Sequence, residues 1–435
     1  MKRPSHIEHT FKTKDDFFDY LRQRHKNLDF AGSNVLDLKN LKFEYDLMLP
    51  VNLPYPQNNG QLHSFLLSCE YIFSSCEFLS NLTIRQTKRQ IEFNNQCYFG
   101  GLVRITNRDK NITFLDCDIN DLDVSNTVLN CKIRIHNCDI YVANFRNTKF
   151  NELTDFWSST FFNVINFYKT DFNATTVFSG VTFNKNVLFT YSLFGDIIIF
   201  RGTRFKKGLD LSLAIIKGKL SVFDIPVRWW WWQFRSKKGV LTEKEYDECV
   251  KGQIIPVKNK RETYRILKKH YEDVNNISDS VSLAVMEKKT LFTEILFNLF
   301  STNKNQIPLI WFIWGKLLDI FNLIILSLNG LSNWFKSSYV CGIIFTALVG
   351  ALFFNLSINC TAYENYAFNF NGEVLSNGFK NYMKFLNPTH KFDYLGEHII
   401  SDSSTKNGFY VYDYLGRIFV GYGIYQTIQA FRKYR

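Results

Sequence analysis

Between Phe145 and Phe205 phenylalanine returns at 145, 150, 156, 161, 167, 172, 178, 183, 189, 194, 200 and 205. The intervals alternate five and six, so the unit is eleven residues long. Neither interval fits the 3.6-residue period of a helix, and the tract is rich in Thr, Val, Ile, Phe and Asn. Two positions before each ring stands a small or β-branched residue, among them Ala143, Thr148, Thr154, Ser159, Thr170, Val181 and Thr203. In an extended chain, residues two apart point to one side, so each small residue and its ring face one interior. A period this short, repeated this often, builds stacked coils in which every coil buries its rings against the next. With one ring per quarter-turn, two units close a coil. Phe145 is then expected to stack on Phe167, and Phe156 on Phe178.

The small-then-large pattern reaches back irregularly through Tyr71, Phe73, Phe78, Ile84, Phe93 and Phe99. It then runs in strict fives through Phe114, Ile119, Val124 and Leu129, passes Ile135 and Ile140, and fades after Phe205 through Leu211, Ile216 and Val222 to Pro226. These residues resemble the pentapeptide-repeat family, in which a small residue at i−2 and a Leu or Phe at i recur every five residues. The resemblance implies an all-β, right-handed quadrilateral β-helix over residues 61–226, with the sixth residue of alternate units bulging one pair of faces. It implies a scaffold and no particular activity.

Residues 1–60 read as an N-terminal cap, because an uncovered first coil would pair with other chains. Within it, Thr13 and Asp16 form a capping box for a short helix ending by Lys26. Residues 227–300 read as a connection and a helical pair. Trp229, Trp230, Trp231 and Trp232 are assigned to the membrane interface, where Trp is enriched; the other reading is a plug on the open end of the solenoid. Tyr264, Leu267, Tyr271 and Val274 follow helical spacing beside Lys258, Lys260, Arg261, Arg265, Lys268 and Lys269. That basic face either meets anionic lipid or is simply solvated. Asn275 and Asn276 separate it from a second helix.

Residues 301–435 read as an α-helical membrane module. No charged residue occurs from Ser337 to Tyr363, and 339–357 is the clearest transmembrane segment. Residues 307–328 carry Lys316, Asp319 and Asn322 on one side, which favours a helix lying in the interface; a span with Lys316 paired to Asp319 is the alternative. Residues 409–431 complete a hairpin. Ala347, Gly350 and Ala351, with Gly421 and Gly423, are the small residues expected to pack helices together, and Gln426 and Gln429 are available for interhelical hydrogen bonds. Val420–Gly423 reads VGYG, but only 12 residues follow it, too few for the full inner helix a selectivity filter needs.

The net charge is +12, yet residues 60–225 hold 18 Lys plus Arg against 15 Asp plus Glu, or +3. A near-neutral rod is a poor mimic of DNA, and no nucleic-acid partner is expected. Nine scattered cysteines without a C-x-x-C pair read as free thiols in a reducing compartment; Cys69, Cys117 and Cys138 each stand two before an apolar residue. No nucleophile, Walker or zinc motif is present, and no cofactor or metal is expected. His390 and His398 read as solvated loop residues, and Asp116, Asp118, Asp121 and Asp123 as a solvated turn.

These readings combine into a non-enzymatic scaffold in a bacterial inner membrane, multi-pass, with its solenoid on the cytosolic side. It would touch the lipid bilayer, an unidentified protein partner and copies of itself. The alternative is an oligomeric, channel-like assembly gated by the solenoid.

Overall fold

A computed structural model describes residues 3–27, 34–52, 60–225, 243–252, 254–300, 309–361, 372–395 and 406–432. The chain divides into Met1–Val274 and Asn275–Arg435. Trp229–Trp232 lie outside the described residues.

The first unit is a parallel β-solenoid whose successive coils pair strand on strand into four sheets. Thr154 pairs with Thr176 and Thr176 with Ile198, so one coil advances 22 residues, two eleven-residue units. Earlier coils are shorter, as Ile112 pairs with Ile133. The rings stack as expected: Phe145 lies 5.2 Å from Phe167 at 16°, and Phe156 lies 5.2 Å from Phe178 at 9°. Phe150, Phe161, Phe172, Phe183, Phe189, Phe194, Phe200 and Phe205 continue these ladders, all buried.

The residue two before each ring has its own task. Thr148, Thr170 and Thr203 are fully buried, and their hydroxyls donate to Val124 O, Phe145 O and Phe178 O of the neighbouring coil at 2.8, 2.7 and 2.8 Å. A buried hydroxyl is thereby satisfied by a main-chain acceptor. Corners fall in the five-residue intervals. Asn147, Ser158, Lys169, Gly180, Tyr191 and Gly202, each two after a ring, have positive φ of 52–69°, as the third residue of a tight turn requires. The six-residue intervals hold no such residue, so there the corner is wider.

The solenoid starts earlier than residue 61. His9–Phe11 pairs with Leu41–Phe43, and Val35–Lys39 pairs with Glu70–Ser74, so the cap boundary at 60 is corrected. Leu36, Leu38, Leu41, Phe43, Leu47 and Leu49 are all buried rungs. Two helices interrupt their period, α1 (Lys14–Asn27) and α2 (Gly60–Ser68). The α1 capping box is present: Thr13 N–H donates to Asp16 Oδ2 at 2.9 Å and Asp16 N–H to Thr13 Oγ1 at 3.3 Å.

After α3 (Glu243–Lys251), α4 (Val257–Asp273) covers the last coil. Leu211 N–H donates to Thr263 Oγ1 (3.0 Å), Asn259 Nδ2 to Asp210 Oδ2 (3.0 Å) and Val222 N–H to His270 Nε2 (3.3 Å). Side chains of α4 thus take up polar groups that an open coil would expose. The expected helical pair is therefore divided, because α4 belongs with the solenoid and its successor with the second unit. Lys260, counted above in the basic face, is buried against the coil, and burial pushes its pKa down to about 8.

The second unit contains α5 (Ile277–Phe300), α6 (Leu309–Asn333), α7 (Tyr339–Ile358), α8 (Gly372–Phe385) and α9 (Lys406–Phe431).

Candidate functional site

Among the described residues the solenoid interior is filled by rings, so a ligand meets the outer faces or the groove of about 1040 Å³ between the last coil and α4. Trp157 and Tyr191 are each 48% exposed on the outer faces. Trp157 stands edge-on to His136, whose ring contacts Asp155 at 2.9 Å. Arg146 lies over the Tyr168 ring at 4.8 Å, and Tyr191 meets that ring edge-on. Asp116 and Asp118 border a recess of about 370 Å³ with Asp139 and Asn137. Asp118 is buried rather than solvated, and no group of three metal-ligating residues comes together among the described residues.

The thiols were only partly legible. Cys76 and Cys97 join Cys117 and Cys138 in one buried column, with Cys76 N–H on Cys97 Sγ and Cys117 N–H on Cys138 Sγ, each at 3.4 Å. All four fill the i−2 slot that Ser159 fills in the next coil, where its hydroxyl accepts from Cys138 N–H at 3.1 Å. Arg108, unremarked in sequence, is buried and donates to Lys110 O, Arg85 O and Thr87 Oγ1 at 2.7–2.9 Å. It clamps the 85–89 turn, and burial lowers its pKa to about 10.

In the second unit, α7 and α9 form an antiparallel hairpin. Its rungs are Tyr339 stacked on Phe431 (4.6 Å), Gly342 against Thr427, Thr346 against Gly423, Phe353 stacked on Phe419 (5.2 Å) and Cys360 against Gly408. At Gly342 and Gly423 a Cβ would fall closer to the facing threonine than real Cβ contacts allow, so glycine is needed at both. Gly423 was named among the small residues above, and Gly342 was not. The other small residues serve a different neighbour. Gly350 faces Leu386 and Tyr382, Gly421 approaches Pro388 at 4.0 Å, the Tyr382 hydroxyl donates to Ala347 O at 2.6 Å, and Ala351 borders the cluster of Phe354, Tyr382 and Phe385.

Leu386 meets Gly350, eight residues before the end of α7, roughly 12 Å in at 1.5 Å per residue. Leu386 and Pro388 therefore stand beside the interior of the hairpin, and the chain returns from there through His390 and Tyr394 toward Phe409. An ionic clamp secures the return. The His390 ring contacts Asp413 Oδ1 through Nε2 at 2.9 Å, and Arg417 Nε donates to Asp413 Oδ2 at 2.8 Å while lying 4.0 Å over the Phe392 ring. Asp413 is fully buried and His390 nearly so, which corrects the reading of His390 as a solvated loop residue. The partners are 23 residues apart with no periodic relation, so no sequence signal joined them.

At the other end Gln426 accepts from Asn333 Nδ2, and Asn329 Oδ1 accepts from Gln426 Nε2 (3.2 Å) and the Tyr422 hydroxyl (3.1 Å). Gln426 makes the expected interhelical bonds, while Gln429 turns to Tyr425 of its own helix. Val420–Gly423 lies inside α9. Lys316 donates to Leu299 O at 3.0 Å and to Asn298 O at the end of α5, a favourable place for a cation.

The family model described as pentapeptide repeats (9 copies) matches residues 167–215, and the solenoid topology agrees with it. No curated protein and no solved structure matches the chain. Among the described residues two helices, Ile310–Asn333 and Tyr339–Ile358, are long and apolar enough to cross a membrane.

Proposed function

We propose that the protein is a non-catalytic, membrane-anchored scaffold whose solenoid binds a protein partner from the cytosolic side of a bacterial inner membrane. The observation that carries this reading is the apolar surface that α6, α7 and α9 leave exposed: Trp311, Trp314, Phe321 and Ile325 on α6, Ile344 and Leu348 on α7, Val411 and Ile428 on α9. Apolar surface on that scale marks a membrane or protein contact. Because α9 lies along α7 rung by rung, a bilayer that holds α7 holds α9 too, which makes the module multi-pass. The test is site-specific photo-crosslinking of the full chain in its membrane. Trp157 and Tyr191 stand on opposite sides of the solenoid; a crosslinker replacing one of them should capture a discrete polypeptide, whereas capture by neither removes the partner from the account.

The turn at Leu386–Pro388, set against Gly350 and Gly421, favours a second reading, an oligomeric pore, because non-helical backbone at membrane depth is tolerated only beside protein or water. Ion flux from liposomes holding the full chain tests it. Flux supports the pore, and its absence from inserted protein leaves the scaffold.

A further inference from the structure

The outer side of α8 carries two adjacent stripes. Tyr382 and Phe385 are buried on the hairpin, while Phe379 and Met383, one turn apart, are 53% and 52% exposed. Beside them Lys380 and Lys384, also one turn apart, are exposed, and Lys391 joins them from the returning segment. The three lysines line a recess of about 490 Å³ together with Asn387 and one opposing charge, Asp393. His390 borders the same recess, but its ring nitrogens face Asn387 O and Asp413. Lys384 Nζ reaches back to Tyr394 O at 3.3 Å.

Lys380 and Lys384 set charged heads on apolar stems at the recess beside the stripe of Phe379 and Met383, the arrangement of snorkelling lysines. Lys391, on the returning segment, brings the third charge to the same place.

We propose that this recess binds the headgroup of an anionic phospholipid, its phosphate held by Lys380, Lys384 and Lys391 and its acyl chains lying along Phe379 and Met383. Charge complementarity selects an anion, and the apolar stripe next to the lysines selects one that carries hydrocarbon. The site rests on the reading that the hairpin lies in a bilayer.

The full chain is reconstituted into phosphatidylcholine vesicles with and without phosphatidylglycerol. Flotation is read first, and retained lipid is then counted by native mass spectrometry. The protein should float with both vesicles and retain phosphatidylglycerol selectively. At about fivefold per lysine near a charged surface, replacing all three by glutamine should reduce that selectivity by roughly two orders of magnitude while flotation and circular dichroism stay unchanged. Asp393→Asn should raise it. Equal retention of both lipids by a floating protein, or wild-type selectivity in the triple variant, overturns the site. So does displacement of phosphatidylglycerol by an equal concentration of inorganic phosphate, which would make the ligand a free anion. Failure to float overturns the bilayer reading itself, and the site with it.

Discussion

Replacing Phe178 by alanine removes the ring with the most neighbours in the regular tract. It stacks on Phe156 and Phe200, each at 5.2 Å, and meets Phe167, Phe172 and Phe189 edge-on at 5.9–6.3 Å. A buried Phe→Ala change costs about 3–5 kcal/mol, and two lost stacks, each about 0.5–1.5 kcal/mol beyond area, place Phe178→Ala at the upper end. Phe205, the last rung of its ladder, stacks on Phe183 at 5.4 Å and meets Phe200 edge-on at 5.7 Å, and its replacement should cost about 3 kcal/mol. In a solenoid each coil depends on its neighbours, so the damage should stay local. Hydrogen exchange on the full chain in detergent reads this coil by coil. Amides of 165–200 should exchange roughly a thousandfold faster at about 1.4 kcal/mol per decade, while those of 35–49 keep their protection. Equal losses for Phe178→Ala and Phe205→Ala, or a loss spread evenly over the solenoid, would refute the stacked-ring account.

Asp413→Asn should destabilise the second unit by about 3–5 kcal/mol, seen as a lower denaturation midpoint in detergent, because Arg417 loses its buried partner; a loss below about 1 kcal/mol would mean the clamp is solvated. Gly342→Val should separate α7 from α9 by driving a side chain into Thr427, read as faster amide exchange along both helices; unchanged exchange would mean that this rung is not tight. His270 accepts from Val222 N–H, and burial holds its pKa below the ordinary 6.5 despite the opposing effect of Asp273. The unfolded chain then binds a proton first as pH falls. Docking of α4 should be at full strength above about pH 6.5 and weaken below it, read as faster exchange at Leu220–Phe223. His270→Gln should flatten that dependence unless Lys219, Lys269 and Asp273, which share the groove, are its source.

The solenoid was legible because its signal is arithmetic: a ring every five or six residues can satisfy one geometry only. Its first coil was not, since Leu36–Leu49 carries the same alternation with leucine in place of phenylalanine and is cut off from Glu70 by α2 and the segment before it. The C-terminal cap was hidden for another reason. Thr263, Asn259 and His270 act through hydrogen bonds to the last coil, and nothing in helical spacing marks them. In the second unit the helices were legible from apolar length and Gly423 from its size. The rest depends on where the Leu386–Pro388 turn sits: Gly350 and Gly421 face Leu386 and Pro388 rather than the facing helix, and His390 meets Asp413 only after that turn has formed.

The central claim, that α7 crosses a bilayer, can be tested on the unmodified protein. Cys341 stands near the start of α7 and Cys360 two residues past its end, both partly exposed, and the 17 residues of helix from Cys341 to Ile358 span roughly 26 Å. The remaining thiols are buried, with Cys69 pushed up to about 12 and Cys131 to about 11, so they should stay unlabelled until the protein unfolds. A membrane-impermeant maleimide added to sealed, uniformly oriented vesicles, followed by peptide mass spectrometry, should label one of the two cysteines from outside and the other only after permeabilisation. Labelling of both from the same side would contradict a spanning helix.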